Sequence, residues 1–344
     1  MSSGKNVFII GPGFIGWCVL DLLVSEGYSV SGLVRRKEHA DGIQQSGATA
    51  VMGSLDDKSL ITEHTAKNDI TIHTATADHL PSVEAVLEGV RQRVRNGRNA
   101  IFIHTSGTSI LDDGANGEYK GDRIYYDNKP EEIDALDDNA PHRQVDLAIV
   151  RSRKELGSQA KMVIMTPPEI YGWNPKHRRL TIQFPVLSRF AIKHGYAGHV
   201  GKGLSVESQI HVLDLARAYI VLLHWLEKTA PEEVQKNPYF FCENGKEFSW
   251  REGAEELGKA LFEAGKIDSP EPRTIPEDLY KDLFGDFTSA VIGLNSRSRA
   301  VRLREMGWEP REKGIWESFR QDELPAILAE DHSNFSGYKG TVAS

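Results

Sequence analysis

The first apolar run of the chain, Val7-Phe8-Ile9-Ile10, is bounded by Gly11 and reads as a strand buried on both faces. Behind it Ile15, Val19, Leu22 and Leu23 recur at helical spacing, so Phe14–Leu23 lies on a helix. The two signatures then alternate. Strands are predicted at Tyr28–Val34, Ala48–Met52, Asp69–His73, Ala100–His104 and Lys161–Thr166. Helices are predicted at Glu38–Gln45, Lys58–Lys67, along Val83, Val86, Leu87, Val90 and Val94 to Asn96-Gly97, and at Pro141–Gly157. Such alternation predicts an α/β protein built on a doubly wound parallel sheet. It stops after Gly172. From there the pattern gives helices at Leu180–His194, from Leu213-Asp214 to Glu227, and at Trp250–Ala264, Pro276–Phe284, Arg297–Met306 and Ile315–Ala329. A short strand is expected at Ser208–Val212 and a late one at Tyr239–Cys242, returning to the sheet. Residues 1–172, completed by roughly 211–243, are therefore expected to form the sheet domain. Residues 173–210 and 244–330 are expected to form a smaller, mostly helical lobe, and 331–344 a loose tail. Residues 110–140 are polar, with Gly114, Gly117, Gly121 and Pro130, and read as a lid or substrate loop, or as a disordered segment.

Composition narrows the partners more than the fold. A net charge of −8 over 344 residues argues against nucleic acid, which favours a basic surface. No apolar run approaches the roughly 18–20 residues of a membrane span. The first strand begins too early for a secretory leader, and the two cysteines, Cys18 and Cys242, sit in apolar surroundings as buried free thiols. A cytoplasmic protein is expected.

Between the first strand and helix stands Gly11-Pro12-Gly13-Phe14-Ile15-Gly16. Strand, G-x-G-x-x-G and helix together make the Rossmann dinucleotide fingerprint. Gly11 permits the tight turn, Gly13 lets the backbone approach a pyrophosphate, and Gly16 lets helix and strand pack closely. The helix N-terminus offers free N–H groups and partial positive charge to the phosphates. The second strand is followed by Arg35-Arg36-Lys37, where a site for NAD would place a carboxylate on the ribose 2′-hydroxyl. Arginine there matches a 2′-phosphate, so NADP(H) is the expected cofactor. Ser54 and Leu55 after the third strand would border the adenine. The small Thr74-Ala75-Thr76 after the fourth suits close approach to the ribose and nicotinamide. Thr105, Ser106 and Thr108 after the fifth face the ligand crevice. His73 and His104 also end strands, without metal-ligand spacing, so no metal is expected.

The assembled pattern resembles the extended short-chain dehydrogenase/reductase superfamily, which holds sugar-nucleotide epimerases, dehydratases and ketone reductases. The resemblance spans nearly the whole chain. Its carriers are the glycine motif, Val34-Arg35, Phe102-Ile103-His104-Thr105-Ser106-Gly107, Thr166-Pro167-Pro168-Glu169-Ile170-Tyr171-Gly172, Ile210-His211-Val212-Leu213-Asp214-Leu215-Ala216 and Met306-Gly307-Trp308-x-Pro310. It implies a bound dinucleotide, with Pro167, Glu169 and Ile170 beside it. It also implies chemistry by a Ser/Thr and a Tyr-x-x-x-Lys pair, the lysine lowering the phenol pKa for proton exchange with the substrate oxygen.

This chain departs from that pattern. Where the tyrosine and lysine should open the helix before the sixth strand, it carries His142 and Asp146, and the second serine of the usual T-S-S is Gly107. A literal match, Tyr125-Tyr126-Asp127-Asn128-Lys129, ends against Pro130, which disfavours the helical conformation the pair needs. Tyr125 or Tyr126 could still swing in from the loop as an acid. His142 is the sharper candidate for acid or base, with Asp146 to orient it, and Ser106 and Thr108 could bond a carbonyl oxygen. Three functions stay open. One is an NADPH-dependent oxidoreductase with a non-standard proton donor, acting on a small carbonyl, enone or imine compound. Another is a non-catalytic redox or cofactor sensor, and the third is a cofactor-assisted epimerase, dehydratase or isomerase. A homodimer through the helices at 83–97 and 141–157 is a further expectation.

Overall fold

The computed structural model describes residues 4–340. Val7, Phe8, Ile9 and Ile10 are wholly buried in strand β1 (Asn6–Ile10), because helices cover both faces of the sheet. Around it lie β2 (Ser29–Val34), β3 (Thr49–Met52), β4 (Ile70–His73), β5 (Ala100–Thr105) and, after a short strand β6 (Tyr125–Tyr126), β7 (Ala160–Thr166). With the strand Tyr239–Phe241 they make one seven-stranded sheet in the order 3-2-1-4-5-7 and then Tyr239–Phe241, every pairing parallel. The order reverses at β1, between β2 and β4, so a crevice opens beyond their carboxyl ends. The crossovers are α1 (Phe14–Ser25), α2 (Lys37–Gln45), α3 (Lys58–Lys67), α4 (Leu80–Arg95) and, past a single turn α5 (Pro130–Asp134), α6 (Arg143–Leu156).

Beyond β7 a separate three-stranded sheet begins with β8 (Glu169–Tyr171), which pairs with the strand Val206–His211, itself paired with Glu247–Ser249. It carries a second hydrophobic core built on Phe184 of α7 (Gln183–His194), Phe248, Trp250 and Phe319. Helix α8 (Val212–Lys228) returns to the first core, against α1. His211 caps it by accepting from the Leu213 N–H at 3.1 Å. Buried Asp214 then receives the Arg311 and Glu312 N–H groups at 2.9 and 3.0 Å, fixing the Gly307-Trp308 segment onto the helix. Each is a charge-assisted bond of about 1.5–3 kcal/mol.

The structure differs from the sequence expectation in four places. Residues 173–180 form a hairpin, Trp173–Asn174 against Arg179–Leu180, so the helix expected from Leu180 starts only at Gln183. Arg297–Met306 is not one helix, because Ser298–Arg299 pairs with β6 and only Val301–Glu305 is helical. Residues 110–140 are not a free loop: the Gly117 N–H bonds Gly293 O at 2.7 Å and Leu204 N–H bonds Gly117 O at 2.8 Å. The tail is anchored as far as it is described, with Tyr338 N–H on Leu283 O at 2.8 Å and its ring against Phe284. Residues 341–344 lie outside the described residues. Among the described residues no helix is long and apolar enough to cross a membrane.

Candidate functional site

The glycine turn is built by three different steric demands. Gly11 has φ +85°, and a Cβ on it would stand 2.6 Å from Ala75, so β1 and the segment after β4 touch there. Gly16 is pressed on the Gly11 carbonyl and on Thr74 Oγ1, which donates to Gly11 O at 2.7 Å. Gly13 is unlike both: its φ is −92°, and a Cβ on it would meet nothing nearer than Gly11 O at 4.0 Å. Its smallness therefore serves nothing inside the protein. Helix α1 has no side-chain cap and no acid in its first turn, and Trp17 N–H bonds back to Gly13 O at 3.1 Å. Open space above uncapped N–H groups fits a pyrophosphate.

Pro12, Phe14 and Ile15 complete this turn, but Thr74 is a brace for it rather than a free ligand group. Thr76 Oγ1 likewise accepts from Asp78 N–H at 3.3 Å. Ser54 and Leu55 sit in a turn after β3 held by Asp57, whose Oδ2 accepts from Ser54 N–H at 2.6 Å. Arg35 and Arg36 are exposed at the end of β2. Arg36 Nη2 bonds His39 Nε2 at 2.8 Å, and Arg179 reaches the same nitrogen from the hairpin at 2.7 Å. Neither His39 nor Arg179 was singled out by sequence, since 140 residues separate them.

At the other end of the crevice His142 precedes α6 with φ +66°, a left-handed conformation uncommon for a residue with a side chain. Its Nδ1 lies 2.7 Å from Asp78 Oδ1. Its Nε2 faces Gly107, where a Cβ would come within 3.1 Å. Burial pushes the Asp78 carboxyl up, but the hydrogen bond and charge of His142 outweigh it and hold the group below the usual range. Asp146 does not orient His142, as its spacing suggested. One turn further on, it is fully buried and accepts from Ser106 Oγ at 2.9 Å. Burial pushes it up to about 7, against the opposing Ser106 bond and the charges of His142 and Arg143.

Three other candidates have their side chains engaged by protein partners. Thr108 Oγ1 is paired with Ser296 Oγ, and Thr105 Oγ1 with the buried Tyr219 hydroxyl. Tyr125 is buried in β6 under the Arg123 guanidinium, 4.4 Å from its ring centre. Lys129 serves Glu132 at 3.3 Å and lies over Tyr126, so no tyrosine–lysine pair forms there. The segment's role is structural: Asp127 accepts from Phe241, Val301 and Arg302 N–H at 3.1, 2.9 and 3.2 Å. Pro167 O receives Thr108 N–H at 3.0 Å, and the Ile170 carbonyl receives Thr181 Oγ1. Glu169 is buried beside Glu207 and Glu323 of the lobe, its carboxyl oxygens without hydrogen-bond partners. His73 Nε2 bonds Ser82 Oγ at 3.0 Å, whereas His104 has no partner on either ring nitrogen. Among the described residues no cluster of three or more His, Cys, Asp or Glu is placed to hold a metal ion.

Above about pH 6.5 the buried acids set the pH dependence of stability. Burial raises Asp127 to about 6 and Asp146 and Glu323 to about 7, and lifts Glu169 and Glu207 as well. Each binds its proton more tightly folded than unfolded, so the stability it contributes falls as pH rises. Burial also holds the histidines His39, His64, His73, His104, His199 and His211 below their ordinary range, and these pull the other way up to about pH 6.5. Beyond that the acids decide, and the melting midpoint should drop by a few degrees between about pH 6.5 and about pH 8. Asp146→Asn, which cannot ionise, should flatten that slope and melt above the parent at the alkaline end. An unchanged slope would remove Asp146 from the account.

Comparison with known proteins agrees with the architecture. The model of the NAD dependent epimerase/dehydratase family matches residues 7–235. The chain is 30% identical over 336 residues to the oxidase ucsJ of an Acremonium species, covering 89% of this chain and 93% of that protein. It is 26% identical over 324 residues to the uncharacterized protein YLL056C of Saccharomyces cerevisiae, covering 92% and 98%. Among solved structures, the dTDP-glucose 4,6-dehydratase DesIV of Streptomyces venezuelae, with NAD and TYD bound, matches with a TM-score of 0.66 at 17% identity over 93% of this chain and 99% of that chain.

Proposed function

The chain belongs to the NAD dependent epimerase/dehydratase family, and on that footing we propose that it is an NADPH-dependent oxidoreductase that reduces a small carbonyl, enone or imine compound. His142 stands in for the tyrosine as proton donor. The observation that carries this reading is the Asp78–His142 pair, which holds an imidazole by Nδ1 at 2.7 Å and leaves Nε2 toward Gly107, beyond the carboxyl end of β5. A full-length relative named as an oxidase supports redox chemistry over epimerisation.

A nicotinamide held at the glycine turn would supply the hydride. The chain's own residues handle the proton. As the carbonyl carbon gains the hydride, His142 Nε2 gives its proton to the oxygen, and the product is an alcohol. Asp78 keeps the ring oriented and stabilises its protonated form. Ser106 is the second group for that oxygen. While Asp146 is ionised the hydroxyl proton points at its carboxylate; once Asp146 is protonated it can donate to Ser106 Oγ and release the hydroxyl proton toward substrate. Arg35 and Arg36, standing where a carboxylate would select NAD, support NADPH.

NADPH should raise the melting midpoint by several degrees more than NADH, and NADPH absorbance should decay with some members of a carbonyl panel. Equal shifts would refute the NADP assignment. A shift that differs between NADPH and NADP⁺ with no consumption on any carbonyl would favour the sensor, a reading the missing tyrosine and lysine keep alive.

A further inference from the structure

The basic end of β2 meets a second basic arm from the other lobe. After β8 the hairpin of Trp173–Asn174 and Arg179–Leu180 folds back over α1. The His177 ring stacks on Trp17 with centres 4.0 Å apart and planes 16° apart, and its Nε2 lies 2.9 Å from Asp21 Oδ2. Lys176 Nζ holds the other oxygen of Asp21 at 2.6 Å, and Asn174 Nδ2 meets Cys18 Sγ at 3.0 Å. Three residues of the hairpin, Asn174, Lys176 and His177, are thus committed to α1, and what they deliver is Arg179.

Arg179 and Arg36 both point at His39 Nε2, at 2.7 and 2.8 Å. Arginine can only donate, so this nitrogen is the acceptor, and the single in-plane lone pair of an imidazole nitrogen cannot satisfy two guanidinium groups. Burial, then the charges of Arg179 and Arg36, push the His39 pKa down and keep it neutral. Glu38 Oε1 lies 3.3 Å from Arg36 Nε and 3.8 Å from His39 Nε2 on an exposed side chain, and Arg35 adds a further positive charge. Two planar cations brought together over one neutral nitrogen repel each other, and a compact dianion between them would remove that repulsion and take the unused N–H groups of both forks.

We propose that Arg179 is a specificity-determining residue which, with Arg36, closes a two-armed site on the 2′-phosphate of the cofactor. The inference rests on the NADP reading above and adds that the substrate lobe grips the adenosine end of the cofactor through the hairpin. Two probes without a nicotinamide test it by calorimetric titration of the full chain: 2′-phospho-ADP-ribose and ADP-ribose. The parent should prefer the phosphorylated probe. Arg179→Gln should lose about tenfold or more in affinity for it, with ADP-ribose unchanged, and Arg179→Lys should recover only part, since an ammonium has no fork. If Arg36→Gln loses the preference and Arg179→Gln keeps it, the inference falls while the NADP reading stands. If the parent shows no preference, both fall. Should Arg179→Gln weaken both probes equally, Arg179 only seats the hairpin, and the inference is again overturned.

Discussion

Replacing His142 by asparagine is expected to lower kcat by about 10²–10³-fold, the usual contribution of a positioned acid, while leaving the NADPH dissociation constant and the melting midpoint near the parent's. Asparagine suits the position for two reasons. It tolerates the left-handed backbone that His142 adopts at φ +66°, where alanine would add strain to the loss of the ring. Its amide can also replace Nδ1–H as a donor to Asp78, so the partner at 2.7 Å is not left unpaired. What it cannot do is pass a proton to substrate. Asp78→Asn should cost less, because the imidazole remains and loses only its orientation and a stabilising charge. Turnover on any carbonyl substrate found for the parent, set beside a cofactor titration, separates the two effects. Undiminished turnover in the asparagine variant would remove His142 from the mechanism.

Two departures from the family pattern that look independent in sequence are one steric fact in space. The tyrosine position holds His142, and the second serine position holds Gly107. A Cβ at 107 would stand 3.1 Å from His142 Nε2 and 3.2 Å from its Cδ2, so any larger residue there would crowd the imidazole and make it give way by a few tenths of an ångström. The same contact leaves Nε2 unobstructed by a neighbouring side chain, which a proton donor requires.

What the sequence made legible was local. Parallel strands with both faces covered write themselves as unbroken apolar runs, and the parallel, doubly wound sheet then follows from the alternation with helices. The glycine turn is equally local, because each glycine answers to neighbours that the motif itself brings close. The partners of His142 and of the basic end of β2 are not local. Asp78 meets His142 across 64 residues and Arg179 meets His39 across 140, distances at which no periodicity speaks. Asp146, one helical turn from His142, was the natural partner by spacing, but that turn carries it inward to Ser106. The polar composition of residues 110–140 misled for a related reason. Asp127 and the Gly117 backbone are polar because they bond the lobe, not because they face water. Tyr125 and Lys129 matched a catalytic spacing that works only on one helix, whereas β6 and the turn before Pro130 put their side chains on different partners.

Gly13→Val is expected to leave the fold intact and to weaken dinucleotide binding at least a hundredfold, or about 2.7 kcal/mol. The three glycines of the turn separate cleanly here. Gly11 needs a positive φ and lies against Ala75, and Gly16 lies against the Gly11 carbonyl and Thr74; side chains at either position would disturb the strand–helix junction itself, so lost binding there would say nothing about phosphate. Gly13 has a negative φ of −92°, and, its chain neighbours aside, no atom of the protein stands within 4 Å of where its Cβ would go except the Gly11 carbonyl oxygen at that limit. A valine there meets solvent in the free protein and the pyrophosphate in the complex. It would hold the phosphates away from the uncapped N–H groups of α1, each charge-assisted bond being worth about 1.5–3 kcal/mol. The check is a melting curve beside an NADPH titration of the same preparation. An unchanged midpoint with binding abolished assigns the space above Gly13 to the cofactor. Retained binding would mean that the phosphates lie elsewhere, and the glycine turn would then be a packing device alone.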